Sequence, residues 1–276
     1  MDNIIININS TFRDKTKYPN STDFSYDLPS QFNNIIYMRL TSIEVPNIHY
    51  VFKTSKNNNT FKILYNFQTF TITLTEGNYT SDTFINELTS KLDDVNTSAG
   101  TSLAVTISTI TGKLTITNNA EITLDFLRTG DTTYNGIGCL MGYSNTTYTG
   151  TSFEADSVIN LIGNHYFYIK INDIDNVVDE YVGNAFAKII ANTDKFNVQF
   201  EDYDSFISKD KLFRSPVNFN KIKVQLVDYR GTILEFGEHE FSFTLELGYV
   251  YDFNLYKNIS NNGIPNGDDR IKFLYK

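Results

Sequence analysis

An acidic stretch in the second half of the chain holds the residue types best suited to bind a metal ion. Carboxylates and amides recur over residues 172–180, and Asp173 and Asp175 are among them. Such side-chain oxygens are the ligands that Ca²⁺ prefers. The EF-hand pattern is not met, because the twelfth position counted from Asp173 is Asn184 rather than glutamate. A solvated turn between strands is the favoured interpretation, and calcium at Asp173 and Asp175 stays an open alternative.

Other side chains that could do chemistry are few and scattered. The three histidines, His49, His165 and His239, have none of the spacings typical of zinc sites. Cys139, the single cysteine, stands beside Leu140 and is interpreted as a small buried apolar residue. No nucleophile motif or phosphate-binding glycine loop is found, and no carboxylate pair stands out for an acidic glycosidase. The sequence therefore predicts no catalytic residue, no cofactor and no enzyme.

Charge and composition exclude several further classes. The chain of 276 residues has a formal net charge of −9 and no run of Lys or Arg, which argues against binding to nucleic-acid phosphates. Neither a signal peptide nor an apolar run long enough to span a bilayer is recognisable. With one cysteine no intramolecular disulfide can form, so we expect assembly in a reducing compartment.

The elements that must position these residues are predicted to be mostly strands. Residues 241–247 alternate Phe and Leu with Ser, Thr and Glu, which is typical of a strand with one buried face. Strands are predicted at 3–9, 23–28 (ended by Pro29), 35–45, 61–65, 67–74, 103–107, 113–117, 122–126, 158–161, 166–171, 196–200, 221–228, 231–236 and 241–251. Residues 186–190 and 206–213 are ambiguous, 129–151 is predicted to be a long loop, and 260–269 a polar tail.

One segment has the period of a helix instead. Phe84, Leu88, Leu92 and Val95 recur at three- and four-residue steps, and Thr80 or Ser81 can cap the start. We predict one helix at about 80–95, inside an inserted α+β subdomain of residues 56–151 that begins at the polar break 56–59. Residues 1–55 and 152–276 are predicted to form an antiparallel jelly-roll β-sandwich, so the fold class is mainly β.

A polar arm over residues 11–23 carries spaced aromatic residues. Phe12 and Tyr18 lie within it, and Phe24 follows directly. Such an arm can fold over its own sandwich or reach a neighbouring subunit.

Several short motifs resemble a known group of proteins. They are N-S-x-x-R-D at 9–14, P-N-S-x-D-F at 19–24, L-P at 28–29, L-T-S-I-E-V-P-N at 40–47, Y-I-K-I-N-D at 168–173, and the strands 222–228 and 241–247. In this order they resemble minor capsid and penton (vertex) proteins of large icosahedral DNA viruses of eukaryotes. The motifs cover most of the chain except residues 56–151.

The resemblance implies a jelly roll that tiles into a capsid lattice. It implies a penton at five-fold vertices, or a minor capsid protein that contacts the major capsomers. The implied partners are major and minor capsid proteins and further copies of the chain, with a pentamer as one expected state. The implied location is the virion, assembled in the host cytoplasm. The alternative is a carbohydrate-binding or host-attachment β-sandwich module, with residues 56–151 projecting outward.

Overall fold

The structure is a computed structural model, and it describes residues 2–126, 136–202 and 210–251. The chain divides by its contacts into unit 1, Met1–His49 with Asn164–Lys276, and unit 2, Tyr50–Gly163. The strands are β1 (Asp2–Asn9), β2 (Asp23–Pro46), β3 (Thr60–Tyr65), β4 (Gln68–Thr73), β5 (Ala104–Ile107), β6 (Leu114–Asp125), β7 (Thr147–Glu154), β8 (Tyr166–Ile171), β9 (Val177–Asp179), β10 (Gly183–Ala185), β11 (Ala187–Ile190), β12 (Val198–Asp202), β13 (Asp210–Asp228) and β14 (Ser242–Tyr249). The helices are α1 (Ser81–Ala99) and the short α2 (Ile137–Leu140).

Unit 1 is built on a seven-stranded sheet in the order β1-β14-β2-β13-β8-β11, with β12 beside β2. Every pairing in this sheet is antiparallel, and the sheet curls into a half-barrel around its own core. The alternation over 241–247 is read correctly from the sequence, since Phe243, Leu245 and Leu247 are fully buried there. The predicted fold class, a mainly-β antiparallel jelly-roll sandwich with an inserted α+β segment, is confirmed.

The long strand β2 differs from the prediction, because Pro29 does not end it. Its pairing with β13 passes from Asp27 opposite Lys221 to Phe32 opposite Phe219. Pro29 therefore lies in a bulge, where no ladder hydrogen bond is asked of its missing N–H. The predicted strands 23–28 and 35–45 are two parts of one continuous strand.

Unit 2 holds a second core around a five-stranded sheet in the order β4-β3-β6-β5, with β7 beside β6. Asn66 and Phe67 join β3 to β4 with φ of 48° and 61°, as a two-residue hairpin turn requires. The predicted helix is confirmed as α1, which buries Phe84, Leu88, Leu92 and Val95. It ends at Gly100, whose φ of 68° is the left-handed conformation that glycine adopts most readily.

Two predictions in unit 2 are wrong. One divides a single strand into two, and the other assigns a short helix and most of a strand to a loop. Residues 113–117 and 122–126 form the single strand β6, because the Asn118 side chain accepts from the Ser102 amide at 2.8 Å and donates to the Ala120 carbonyl at 2.9 Å. The expected turn is thus a bulge inside the strand. The predicted loop 129–151 contains α2 and most of β7, whose side chains are largely exposed and show no alternation of apolar residues.

Two predicted strands do not form. Residues 158–161 hydrogen-bond a turn and a helix rather than a sheet, through Ile159 to the Gly112 carbonyl and Asn160 to the Leu140 carbonyl. Residues 231–236 make one isolated bridge, between Ile233 and Val227. The ambiguous segment 186–190 is the strand β11 from Ala187 onward. Residues 129–135, 206–209 and 260–269 of the remaining predictions lie outside the described residues.

The N-terminal cap of α1 can be tested by substitution. The Thr80 hydroxyl accepts from the Thr83 amide at 3.3 Å, and the Thr83 hydroxyl accepts from the Thr80 amide at 2.8 Å. We expect Thr80→Ala to lower the free energy of unfolding of unit 2 by about 1 kcal/mol, because it removes this cap. Thr80→Ser keeps the hydroxyl and should stay near the wild-type value in urea denaturation followed by circular dichroism. Equal losses in both variants would contradict the capping role.

Candidate interaction surfaces

The polar arm is anchored to unit 1 by a buried arginine. The side chain of Arg13 is 5% exposed and forms an ion pair with the Glu240 carboxylate. Its Nε also donates to the Tyr18 carbonyl at 2.8 Å, and its Nη1 to the Ser10 carbonyl at 2.8 Å. We call Ser10, Arg13 and Glu240 the N-terminal clasp. A guanidinium suits this position because its several N–H groups reach a carboxylate and backbone carbonyls together.

Within the clasp, Ser10 also binds Glu240 and the backbone of the next residue. The Ser10 hydroxyl donates to Glu240 at 2.6 Å and accepts from the Phe241 amide at 2.9 Å. Burial raises the pKa of Glu240, but the hydrogen bonds from Ser10 and Lys15 and the positive charges nearby outweigh it, so the net pKa lies below the usual value. The arm therefore folds over its own unit, while the Phe12 side chain stays largely exposed.

Strand β12 presents the opposite of the usual burial pattern. Its polar residues Gln199 and Glu201 are each 2% exposed. Its apolar residues Val198 and Phe200 are 62% and 58% exposed, and Phe196 just before the strand is 69% exposed. We call Phe196, Val198 and Phe200 the β12 apolar row. Soluble proteins bury side chains of this kind when nothing else prevents it.

Hydrogen bonds fix β12 in this orientation. The inward Gln199 side chain accepts from the amides of Asn192 at 3.1 Å and Thr193 at 3.0 Å, and it donates to Glu201. Phe196 has a φ of 69°, a conformation that is unusual for a bulky residue. Its amide donates to the Asn47 carbonyl at 3.0 Å, which holds the turn before the strand.

Unit 2 carries an apolar cleft of about 920 Å³ between the start of α1, strand β5 and residues 158–162. The apolar side chains that line it include Ile85, Ile107, Val158 and Ile162. Val158 and Ile162 are exposed to solvent. The sequence predicts a strand at residues 158–161, so this surface was missed.

The acidic stretch forms a hairpin of β9 and β10. The Asp179 carboxylate accepts from the Tyr181 amide at 2.9 Å, the Val182 amide at 3.0 Å and the Tyr168 hydroxyl at 2.9 Å. These hydrogen bonds, led by the one from Val182, lower the pKa of Asp179. Asp179 thus closes a turn, whereas the carbonyl of Asp175 accepts from the Lys211 ammonium.

The three histidines and the cysteine lie in different environments. His49 is buried with its Nε2 3.3 Å from the Lys195 ammonium, whereas His165 and His239 are exposed. Cys139 is a free thiol in α2 and is half-buried, so the expectation of full burial is wrong. Across residues 2–126, 136–202 and 210–251, no three His, Cys, Asp or Glu side chains are grouped to hold a metal ion. In the same residues no helix has the length and apolar character to cross a bilayer.

Comparison with known proteins gives a family for this chain. The model of a family of unknown function, DUF5901, matches residues 1–150. The chain belongs to this family. The match spans the N-terminal clasp residues Ser10 and Arg13, strand β2 and most of unit 2.

The solved structures that are similar to this chain include a penton protein. No curated protein matches the chain. The crystal structure of the selenomethionine-labelled mavirus penton protein is similar with a TM-score of 0.48 and 10% sequence identity. That alignment covers 91% of this chain and 100% of the penton chain.

Two of the surfaces could not be found from sequence. The clasp joins Arg13 to Glu240 across most of the chain, and only its place in the motif N-S-x-x-R-D marks Arg13 in advance. The alternation over 196–200 was recognised as a strand, but a pattern alone assigns the apolar side to the core. The reversal depends on which residues surround β12.

Proposed function

We propose that this protein is a structural component of a viral capsid and not an enzyme. Its expected place is a penton at the five-fold vertices, or a minor capsid position in contact with the major capsomers. The observation that carries this proposal is the role of the motif residues that resemble capsid proteins. Ser10 and Arg13 are buried and hold the arm to unit 1, and Phe24 lies in the core. Residues with these contacts stabilise the fold, which suits a structural protein better than an enzyme.

The exposed apolar surfaces support an assembling protein. The β12 apolar row lies on unit 1, and the cleft lined by Ile85, Ile107, Val158 and Ile162 lies on unit 2. Burial of such surface against neighbouring subunits is the main driving force of association. The partners proposed are therefore other capsid proteins and further copies of this chain, and the proposed location is the virion.

Electron microscopy of the virions of the encoding virus tests the proposal. We expect this chain to be present in purified particles and its density to lie in the capsid shell. Density at the five-fold axes supports the penton position, and density between major capsomers supports a minor capsid position. A chain that is made in infected cells but is absent from purified, detergent-washed particles would contradict both positions. A major capsid protein followed in the same gradient fractions is the internal control.

A further inference from the structure

Strand β1 forms one end of the sheet of unit 1, and its outer edge is open. It pairs with β14 over all 8 of its residues, from Asp2 opposite Tyr249 to Asn9 opposite Ser242, without a bulge. The described residues contain no strand on its other side. An unpaired edge offers backbone N–H and C=O groups to any extended segment that fits. The edge of β1 is therefore competent for strand addition.

The backbone groups that face this open edge belong to the odd-numbered residues of β1. Directly after the strand, and in the same register, the Ser10 amide donates to the Phe241 carbonyl at 2.9 Å. Hydrogen-bonded and non-hydrogen-bonded pairs alternate along an antiparallel ladder, so the even-numbered residues of β1 bond to β14 and the odd-numbered ones do not. The amides and carbonyls of Asn3, Ile5 and Asn7 therefore point away from β14.

The edge lacks the features that usually prevent two sheets from joining. Natural proteins protect such edges with lysine, proline or a bulge. Residues 3–9 read N-I-I-I-N-I-N and contain neither a charged residue nor proline. The strand at the other end of the sheet, β11, is only 4 residues long and contains Lys188. Of the two ends, β1 is therefore the one that suits a further strand.

The two faces of β1 define what an added strand must carry. Ile6 and Ile8 are buried in the core, whereas Asn3, Ile5 and Asn7 are exposed, and Ile5 is 71% exposed. Residues that stand directly opposite each other in an antiparallel pair share a face. The added strand must therefore place apolar side chains on the core face, and an apolar residue flanked by polar ones on the outer face.

The charge of the edge allows two copies of the chain to meet there. The residue opposite Ile5 on β14 is Glu246, and its carboxylate already accepts from the Asn3 side chain at 2.6 Å and pairs with Arg39 at 3.4 Å. In a chain of net charge −9, two copies repel each other least where they meet through uncharged residues. The edge of β1 offers such residues.

Strand β1 of a second copy carries the required side chains in the required order. When two β1 strands run antiparallel with Ile5 opposite Ile5, Asn3 of each copy stands opposite Asn7 of the other. On the core face, Ile4 of each copy stands opposite Ile6 of the other. Apolar residues thus meet apolar residues and amides meet amides. The outward backbone groups also fall opposite one another, so each outer pair can exchange both of its N–H···O bonds.

We propose that the chain forms a dimer in which the β1 edges of two copies pair antiparallel, centred on Ile5. The contact joins the two sheets of unit 1 into one and has two-fold symmetry, so it closes with two copies. It involves neither the β12 apolar row nor the cleft of unit 2. The inference goes beyond the proposed function and does not depend on it, because it follows from the edge of β1 alone.

Charge substitutions at the centre of the contact test it in the full-length chain. Ile5→Lys and Ile5→Glu each place two like charges directly opposite one another across the two-fold axis. We expect the wild type to dimerise in sedimentation velocity, and each variant to associate more weakly by about tenfold or more. Ile110→Lys makes the same change at an exposed isoleucine of unit 2 and should associate like the wild type. Circular dichroism of each variant checks that it is folded.

Mixing the two charged variants tests the register. The introduced lysine and glutamate then stand opposite each other, so the mixture should form a one-to-one dimer that neither variant forms alone. Two charged variants that each dimerise like the wild type, or a mixture that stays dissociated, would overturn the inference.

Hydrogen exchange of the wild type locates the contact without any substitution. The Ile5 amide should exchange more slowly as the protein concentration rises, because it becomes bonded to the second copy. The Ile110 amide, which donates to the Ser108 hydroxyl within its own turn, should exchange at the same rate throughout. A wild-type chain that stays monomeric, or a dimer whose Ile5 amide gains no protection, would overturn the inference.

Discussion

Replacing Arg13 with alanine should lower the free energy of unfolding of unit 1 by roughly 3 kcal/mol. The guanidinium is buried, and its removal leaves the Glu240 carboxylate without its closest cation. It also removes the hydrogen bonds that the guanidinium donates to the carbonyls of Tyr18 and Pro19. Urea denaturation measures the loss, and hydrogen exchange at the Phe241 amide, which the clasp holds, assigns it to unit 1.

A lysine that binds the same carboxylate is the matched control. Lys15 lies 2.9 Å from Glu240, but its side chain is 58% exposed, compared with 5% for Arg13. We expect Lys15→Ala to change stability by less than about 1 kcal/mol, because water screens and solvates this pair. Similar losses for Arg13→Ala and Lys15→Ala would contradict the importance of burial at the clasp.

The same carboxylate gives the clasp a pH dependence of known sign. The pKa of Glu240 in the folded protein lies below its ordinary value of 4.5. The stabilisation by the charged form is therefore fully present above about 4.5 and is lost as the pH falls through the folded pKa. In Glu240→Gln this part of the acid destabilisation should be absent, which a comparison of urea midpoints on both sides of this range would measure.

Replacing Phe243 with alanine should cost unit 1 about 3–5 kcal/mol of unfolding free energy. Phe243 is fully buried on the central strand β14, opposite Ile43 of β2 and Ile8 of β1. Its ring stacks on that of Phe241 with centroids 6.0 Å apart. Truncation removes these contacts and leaves a cavity that a sheet paired on both sides cannot close. The loss is measured by urea denaturation of the full chain.

Phe200→Ala is the matched control for this substitution. Phe200 is also a phenylalanine on a strand of unit 1, but it is more than half exposed. We expect a change within about 0.5 kcal/mol, as for other exposed positions. A large loss of stability at Phe200 would mean that its ring supports the fold, and it would remove the reason to assign the β12 apolar row to binding.

Local patterns predicted the elements whose signals come from near neighbours in the chain. Helix α1 followed from the spacing of Phe84, Leu88 and Leu92, and β14 followed from its alternation. The strands β3 and β4 followed from the apolar patterns at 61–65 and 67–74, which stand on either side of Asn66. In each case the residues that cause the structure lie within a few positions of one another, so a single segment contains the whole signal.

The predicted strand ends were wrong where pairing with a neighbouring strand outweighed a local turn signal. Pro29 and Asn118 are ordinary signs of a strand end, yet each lies in a bulge of a longer strand because the neighbouring strands continue past it. Strand β7 has a weak pattern of its own and exists because it pairs with β6. These outcomes depend on residues that are distant in sequence.

The sequence by itself determined the fold class of this protein, the long helix α1 and most of the described strand positions, because period and turn chemistry are properties of short segments. Only the tertiary structure decided which face of β12 is buried and which cation is paired with Glu240. Alternation gives a strand two faces but does not say which one meets the core, since that follows from the register with β2 and from the hydrogen bonds of Gln199. The pairing of Arg13 with Glu240 likewise exists only once β1 and β14 lie side by side.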